Sequence, residues 1–308
     1  MRHILHVNPN TVEVNTLFIQ PTRYCALNCP GCYVKQHIST QEHVHPQEMA
    51  KLFGYFWNSN KAWANQLTIS MDVVPRIGNS VHLLRFARYL EEELLAPGAL
   101  EREERPEVHL TLRNLLSAQA YRFNGQHSLF ENVDVVTVSN GCSLDTPFKE
   151  NKLVKFLNRN FMLDISSIGW NSSTTNMQVD LISRTLEVYD HVYMLLNKTP
   201  IGKPVDLDIH KKYLAKYQEV YTLLSNSLGD KISRDTCVDD SEKFIKTGFG
   251  CSSNVSKFQV WPDGTVSGCP YAIRGHGKVA VVAEDILDNI RQARKVQDFS
   301  ECYIHRAM

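Results

Sequence analysis

The sequence predicts an α/β fold built on a parallel sheet, and three observations carry that expectation. Apolar stretches of strand length alternate with stretches of helical periodicity over about the first 230 residues. Ser80 and Asp206 stand where helix N-caps belong. The chain has 308 residues, 43% apolar and 21% charged, which suffices for a large core with or without an appended module. Strand followed by helix, repeated six times, reads as βα units around a parallel sheet. Six units are too few for a closed eight-fold barrel, so an open, partial barrel and a doubly wound sheet remain the two architectures.

Taken in order, the predicted strands are 15–20 (NTLFIQ), 66–70 (QLTIS), 107–112 (EVHLTL), 133–139 (VDVVTVS), 161–166 (FMLDIS) and 191–197 (HVYMLLN). The predicted helices are 46–58, 80–95, 149–157, 176–188 and 206–224. Met49, Leu52, Phe53 and Phe56 share one side of the first, and Val81, Leu84, Ala87, Leu90 and Leu94 one side of the second. Past residue 231 the pattern changes. The stretch 255–269 (VSKFQVWPDGTVSGC) reads as two short strands joined by Pro262-Asp263-Gly264, where Pro presets the turn and Gly supplies positive φ. A helix at 283–295 follows. The expected division is residues 1–230 and a small C-terminal module, 231–308.

Lys plus Arg equals Asp plus Glu, 33 each, so no whole-molecule attraction to nucleic acid or to an anionic membrane is indicated. No signal peptide and no span of about 20 apolar residues is read, and the protein is expected to be cytoplasmic, with no membrane partner. Eight cysteines in a reducing compartment point to metal or cofactor ligation before disulfides. Three of them, Cys25, Cys29 and Cys32, are spaced C-x3-C-x2-C on the loop after the first strand. Three thiolates on one short loop converge on one metal centre. Zinc ribbons and ferredoxin loops want a fourth nearby ligand. A four-iron cluster on three cysteines instead leaves one iron open to an external ligand. A structural zinc site and three buried thiols are the alternatives. The loop position is also where βα folds place active sites. A second set comprises Cys251 and Cys269 around the hairpin, then Cys302 and His305; three Cys and one His suit zinc or an iron–sulfur centre, or are plain packing.

The triplet, its position and the six βα units resemble the radical SAM superfamily, whose fold is a partial (β/α)6 TIM barrel. The resemblance implies that Cys25, Cys29 and Cys32 bind a [4Fe–4S] cluster and that S-adenosylmethionine chelates the fourth iron. It further implies reductive cleavage of that cofactor to a 5′-deoxyadenosyl radical, which abstracts hydrogen from an organic substrate. Gly31 precedes the third cysteine and Tyr33 follows it. SMDVVP (70–75) stands where many members carry a Gly-rich run, with Ser70 and Asp72 as cofactor contacts. Polar residues at later strand ends are the other contacts: Asn114 beside Arg113, Ser139 beside Asn140, Ser166 beside Ser167, and Asn197. No residue is singled out as the catalytic acid, base or hydrogen donor.

The C-terminal layout, C-x12-G-x4-C and then C-x2-H, resembles the Twitch and SPASM modules. That resemblance implies at most one auxiliary Fe–S cluster, on Cys251, Cys269, Cys302 and a fourth ligand: His305, Cys237 or substrate. An external one-electron donor of flavodoxin or ferredoxin type is implied. The substrate is a small molecule, a peptide or a nucleotide-linked compound, and the outcome an oxidation or rearrangement. Epimerisation and C–C cleavage are alternatives within the family, and a non-catalytic Fe–S, zinc or SAM-sensing protein is the alternative outside it. Lys198 and Lys203 fall on a basic loop at the rim of the site, which reads as a plain surface turn or as a contact for a substrate phosphate or carboxylate; Trp170 and Asn171 read as cavity lining or as core packing, and His43 and His45 are expected on the surface.

Overall fold

The computed structural model describes residues 14–22, 43–58, 64–71, 80–98, 103–112, 133–140, 158–164, 186, 190–196, 206–239, 257–269, 288–289, 302 and 304. The predicted helices at 149–157 and 176–188, and most of that at 283–295, lie outside the described residues.

Nine strands form one sheet: β1 (Val14–Ile19), β2 (Ala64–Met71), β3 (Glu107–Leu112), β4 (Val135–Asn140), β5 (Asn158–Asp164), β6 (His191–Leu195), β7 (Ile232–Arg234), β8 (Lys257–Val260) and β9 (Val266–Ser267). Their spatial order is β7-β6-β5-β4-β3-β2-β1-β8-β9. Strands β1 to β7 lie side by side in chain order, all parallel. A doubly wound sheet would reverse its strand order at a switch point and carry helices on both faces. Here the described helices cover one face. Leu17, Ile19, Leu67, Ile69, Val108 and Leu110 pack in one cluster with α1 (Pro46–Asn58) and α2 (Ser80–Leu94). Register carries that face across β4 and β5 to Val192 and Met194, which pack in a second cluster with Leu214, Tyr217, Val220 and Leu224 of α3 (Leu207–Leu228). A singly wound, consecutive parallel sheet is barrel geometry, and the α/β fold is consistent with a partial (β/α)6 barrel.

The helices form where apolar spacing and caps dictate. In α1 the apolar positions Met49, Leu52, Phe53, Phe56 and Trp57 are all buried. Each such side chain removed from water contributes about 2–3 kcal/mol before chain entropy is subtracted. The N-cap of α3 is Asp206, whose Oδ1 accepts from the amides of Asp208 (3.0 Å) and Ile209 (3.1 Å). At the far end Gly229 takes φ 58°, a conformation that suits glycine, and its amide donates to the Ser225 carbonyl. Asp206→Ala is expected to cost about 1 kcal/mol and to speed amide exchange at Asp208 and Ile209 roughly fivefold. Unchanged exchange at both amides would show that the cap contributes nothing.

Two features depart from the predicted pattern. A seventh parallel strand, β7, extends the sheet beyond β6. The predicted hairpin is present as β8–β9, antiparallel, with Gln259 opposite Ser267. Its turn is held by Gly264 N–H to Trp261 O and Trp261 N–H to Thr265 O, both 2.9 Å, with Gly264 at φ 81°. The Asp263 side chain accepts from Thr265 N–H at 3.0 Å. The hairpin joins the main sheet: β8 lies parallel to β1, with Ile19 opposite Val260. Both β7 and β8 therefore pair with strands on the other side of residue 230.

No described helix is long and apolar enough to cross a membrane.

Candidate functional site

Parallel strands send all their outgoing loops to one end of the sheet, the end where βα folds place active sites. The chain leaves β1 through Gln20, Pro21 and Thr22, all buried. Gln20 N–H donates to the Val260 carbonyl at 3.0 Å. Its side-chain oxygen accepts from Gln259 Nε2 at 3.4 Å. The Pro21 carbonyl accepts from His82 Nε2 at 3.2 Å. Residues 23–42, which include Cys25, Cys29, Cys32 and Tyr33, lie outside the described residues. On the far side of that segment Val44 N–H donates to the Pro262 carbonyl at 2.8 Å. The residues that flank the cysteine segment are thus fastened, Gln20 and Pro21 to β8 and α2 and Val44 to the hairpin turn.

The sheet face turned away from the helices carries a row of buried polar residues beside the apolar Phe18 and Val135. Ser70 on β2 stands opposite Thr111 on β3, and Thr111 opposite Thr137 on β4. All three are at most 8% exposed. Thr16, Gln20, Thr68, Gln259 and Ser267 are buried with the same alternation. Filled barrels pack layers of branched apolar side chains against one another in this position. Buried hydroxyls need hydrogen-bond partners, so the row of Ser70, Thr111 and Thr137 is built as a polar wall within this face. Ser70 was expected at the site; Thr111 and Thr137 were not named, although the period-two alternation QLTIS, HLTL and VVTVS carries them.

Of the other expected contacts, Ser139 and Asn140 form the C-terminal end of β4, paired with Met162 and Leu163 of β5. Asp72, Arg113, Asn114, Ser166, Ser167, Trp170, Asn171, Asn197, Lys198 and Lys203 lie outside the described residues. So do Cys251 and His305.

The described cysteines fall in two places. Cys269 is buried just past the hairpin, where its carbonyl accepts from Ser267 Oγ at 2.9 Å. That same hydroxyl accepts from Trp261 Nε1 at 2.9 Å. Cys237 and Cys302, half-buried, both pack against the α3 cluster with Ile304. Cys237 N–H donates to Asp235 Oδ1 at 2.9 Å. Asp235 Oδ2 accepts from Leu196 N–H at 3.0 Å, and Tyr217 OH receives the Asp235 amide while donating to the Met194 carbonyl, each at 2.7 Å. This buried network fixes the ends of β6 and β7 and sets the turn that bears Cys237. Among the described residues no three His, Cys, Asp or Glu side chains are grouped as a metal site.

Histidines cluster beside the residues that flank the cysteine segment. The His43 and His82 rings meet edge-on at 5.1 Å between centroids, and His43 Nε2 lies 3.4 Å from Thr22 Oγ1. His45 is exposed, as expected of a surface residue, whereas His43 is half-buried.

No protein-family model matches the sequence, and no curated protein matches it. Solved structures do match. One is Streptococcus suis SuiB bound to the precursor peptide SuiA, with TM-score 0.59 and 13% identity, covering 96% of this chain and 71% of that one. Another is native anSMEcpe with bound AdoMet, with TM-score 0.50 and 13% identity, covering 95% and 82% respectively. The likeness extends over most of the chain, and the fold is that of radical SAM enzymes.

Proposed function

We propose that this chain is a radical SAM enzyme that cleaves S-adenosylmethionine reductively and abstracts hydrogen from a polar organic substrate. The observation that carries the reading is the position of the C-x3-C-x2-C loop. It leaves the C-terminal end of the first strand of a consecutive parallel barrel, and the residues that flank it, Pro21 and Val44, are held. Cys25, Cys29 and Cys32 hold a [4Fe–4S] cluster there. When bound, the cluster and S-adenosylmethionine together supply hydrogen-atom abstraction at a carbon that ordinary acid–base groups cannot activate. AdoMet is bound by anSMEcpe, which supports that cofactor for this fold.

The chain's own residues bind and shield. Ser70, buried at the end of β2, offers a hydroxyl at the mouth. Asp72, next but one along the chain, accepts from the ammonium of the cofactor. Tyr33, Asn114, Ser139, Ser166 and Asn197 complete its contacts from the loop and the later strand ends. The wall of Ser70, Thr111 and Thr137 supports a substrate rich in hydrogen-bonding groups, and its burial keeps bulk water out. SuiB is bound to a precursor peptide, which supports a peptide among the substrate classes. An oxidation or rearrangement is the net reaction, and a flavodoxin- or ferredoxin-type protein is the electron donor. In the C-terminal module, residues 231–308, an auxiliary cluster draws on Cys251, Cys269 and Cys302, with His305 or Cys237 as a further ligand. The packing of Cys237 and Cys302 against one cluster supports Cys237.

Anaerobic reconstitution tests the reading. About four irons per chain are expected for one cluster and about eight for two, with 5′-deoxyadenosine formed when the reduced protein meets S-adenosylmethionine. Zinc on the N-terminal thiols, or cofactor binding without 5′-deoxyadenosine, would overturn it.

A further inference from the structure

Toward the end of the sheet opposite the cysteine segment, β6 and β7 bring a hydroxyl against an imidazole. His191 opens β6, and the turn Gly229–Lys231 leads α3 directly into β7. Parallel pairing sets Val192 opposite Ile232 and Tyr193 opposite Ser233. Val192 and Ile232 pack in the α3 cluster, so strand alternation puts His191, Tyr193 and Ser233 on the other face. There His191 Nε2 lies 2.8 Å from Ser233 Oγ, within hydrogen-bond range. The Tyr193 ring lies against the imidazole, 4.6 Å between centroids and tilted by 55°, which limits how the imidazole can turn. Burial first holds His191 below the usual histidine range, against the carbonyl and the carboxylate of Asp230, which both favour the charged ring. The imidazole is therefore neutral, and able to take a proton, at neutral pH. His191 and Ser233 are both half-buried, and Asp230 is exposed, so the pair is not sealed in the core.

A hydroxyl within reach of a base, with that base set by a third group, is the arrangement of an activated nucleophile. From this contact we infer a second reactive site, in which Ser233 is a nucleophile toward activated esters and His191 is its general base. Ser233 Oγ bonds to the acyl carbon, and its proton passes to His191 Nε2. The ester C–O bond breaks, the leaving alkoxide or phenolate takes that proton, and the acyl group stays on Ser233. Water, giving its proton to the same nitrogen, then releases the acyl group as a carboxylic acid and restores the hydroxyl. The Asp230 carboxylate stabilises the imidazolium that exists between the two transfers. The site is separate from the cysteine segment and does not depend on the proposed radical chemistry.

The test uses the whole protein with a fluorophosphonate and with p-nitrophenyl acetate, read by intact mass and peptide mapping. The fluorophosphonate is expected to lose fluoride and leave its phosphonyl group on Ser233, and p-nitrophenyl acetate to acetylate the same serine. Ser233→Ala is expected to abolish both labels. His191→Gln keeps a polar side chain beside Ser233 but no base, and it is expected to slow both reactions roughly hundredfold. Circular dichroism establishes that each variant is folded, and mapping of the wild type decides the matter even where one is not. Wild-type protein that carries no label on Ser233, or a folded His191→Gln variant labelled as fast as the wild type, would overturn the inference.

Discussion

Replacing Cys25, Cys29 and Cys32 together by alanine is expected to remove about four irons per chain and to reduce 5′-deoxyadenosine formation to background. Three thiolates are the only protein ligands proposed for the N-terminal cluster, so nothing is left to retain it. The loss should be specific. The residues that flank the segment, Gln20, Pro21 and Val44, are held through backbone groups and by His82, none of which the substitutions touch. Cluster-free wild type and cluster-free variant should therefore unfold within about 0.5 kcal/mol of each other. A variant that keeps its iron, or still forms 5′-deoxyadenosine, would mean that the triplet is not the cluster site.

Arg105→Ala carries the largest expected loss of stability, about 3 kcal/mol. Arg105 is 7% exposed and joins three elements at the N-terminal end of the sheet. Its Nη1 donates to Asp134 Oδ2 at 3.2 Å, just before β4, and its guanidinium lies 4.0 Å from the centre of the Trp57 ring on α1. The same Asp134 oxygen accepts from the Val108 amide of β3 at 2.8 Å. Truncation takes the counter-charge from a largely buried carboxylate, removes the cation from the ring face and leaves a void. Arg105→Lys keeps the charge but loses the planar stacking, so about half of the loss should remain. Urea unfolding reads both: the midpoint should fall in the order wild type, Lys, Ala. Equal midpoints for all three would show that the cluster is held by apolar packing alone.

Much of this was legible in the sequence, and what was missed has physical causes. Helix 46–58 was delimited correctly because Met49, Leu52, Phe53, Phe56 and Trp57 repeat at helical spacing and face the core. The cap at Asp206 and the turn at Pro262–Gly264 follow from single residues whose backbone chemistry is local. Strand β7, three residues reading ISR, is too short and too polar to stand out; what places it is pairing with Val192 and Met194. Choosing a barrel over a doubly wound sheet depended on which face the helices cover, which no window of sequence records. The hydroxyl row was visible as alternation, but alternation alone does not say which face is buried. His43 and His82 are far apart in sequence, so their contact was hidden. The cysteine spacing was the strongest local signal. The later cysteines gave a ligand inventory without geometry; the structure packs Cys302 and Cys237 against the α3 cluster and buries Cys269 just past the hairpin.

The pairing of β8 with β1 has a consequence for biosynthesis. Gln20 and Gln259, which meet across that seam, are 239 residues apart. A ribosome releases the first strand long before its outer neighbour exists. Until then one flank of the nascent sheet presents unsatisfied amides and carbonyls, the kind of template that recruits other chains. The closing step spans most of the polypeptide, so it comes late and slowly. Truncated translation products ending before Lys257 would therefore be the aggregation-prone species, with β1 as the adhesive segment.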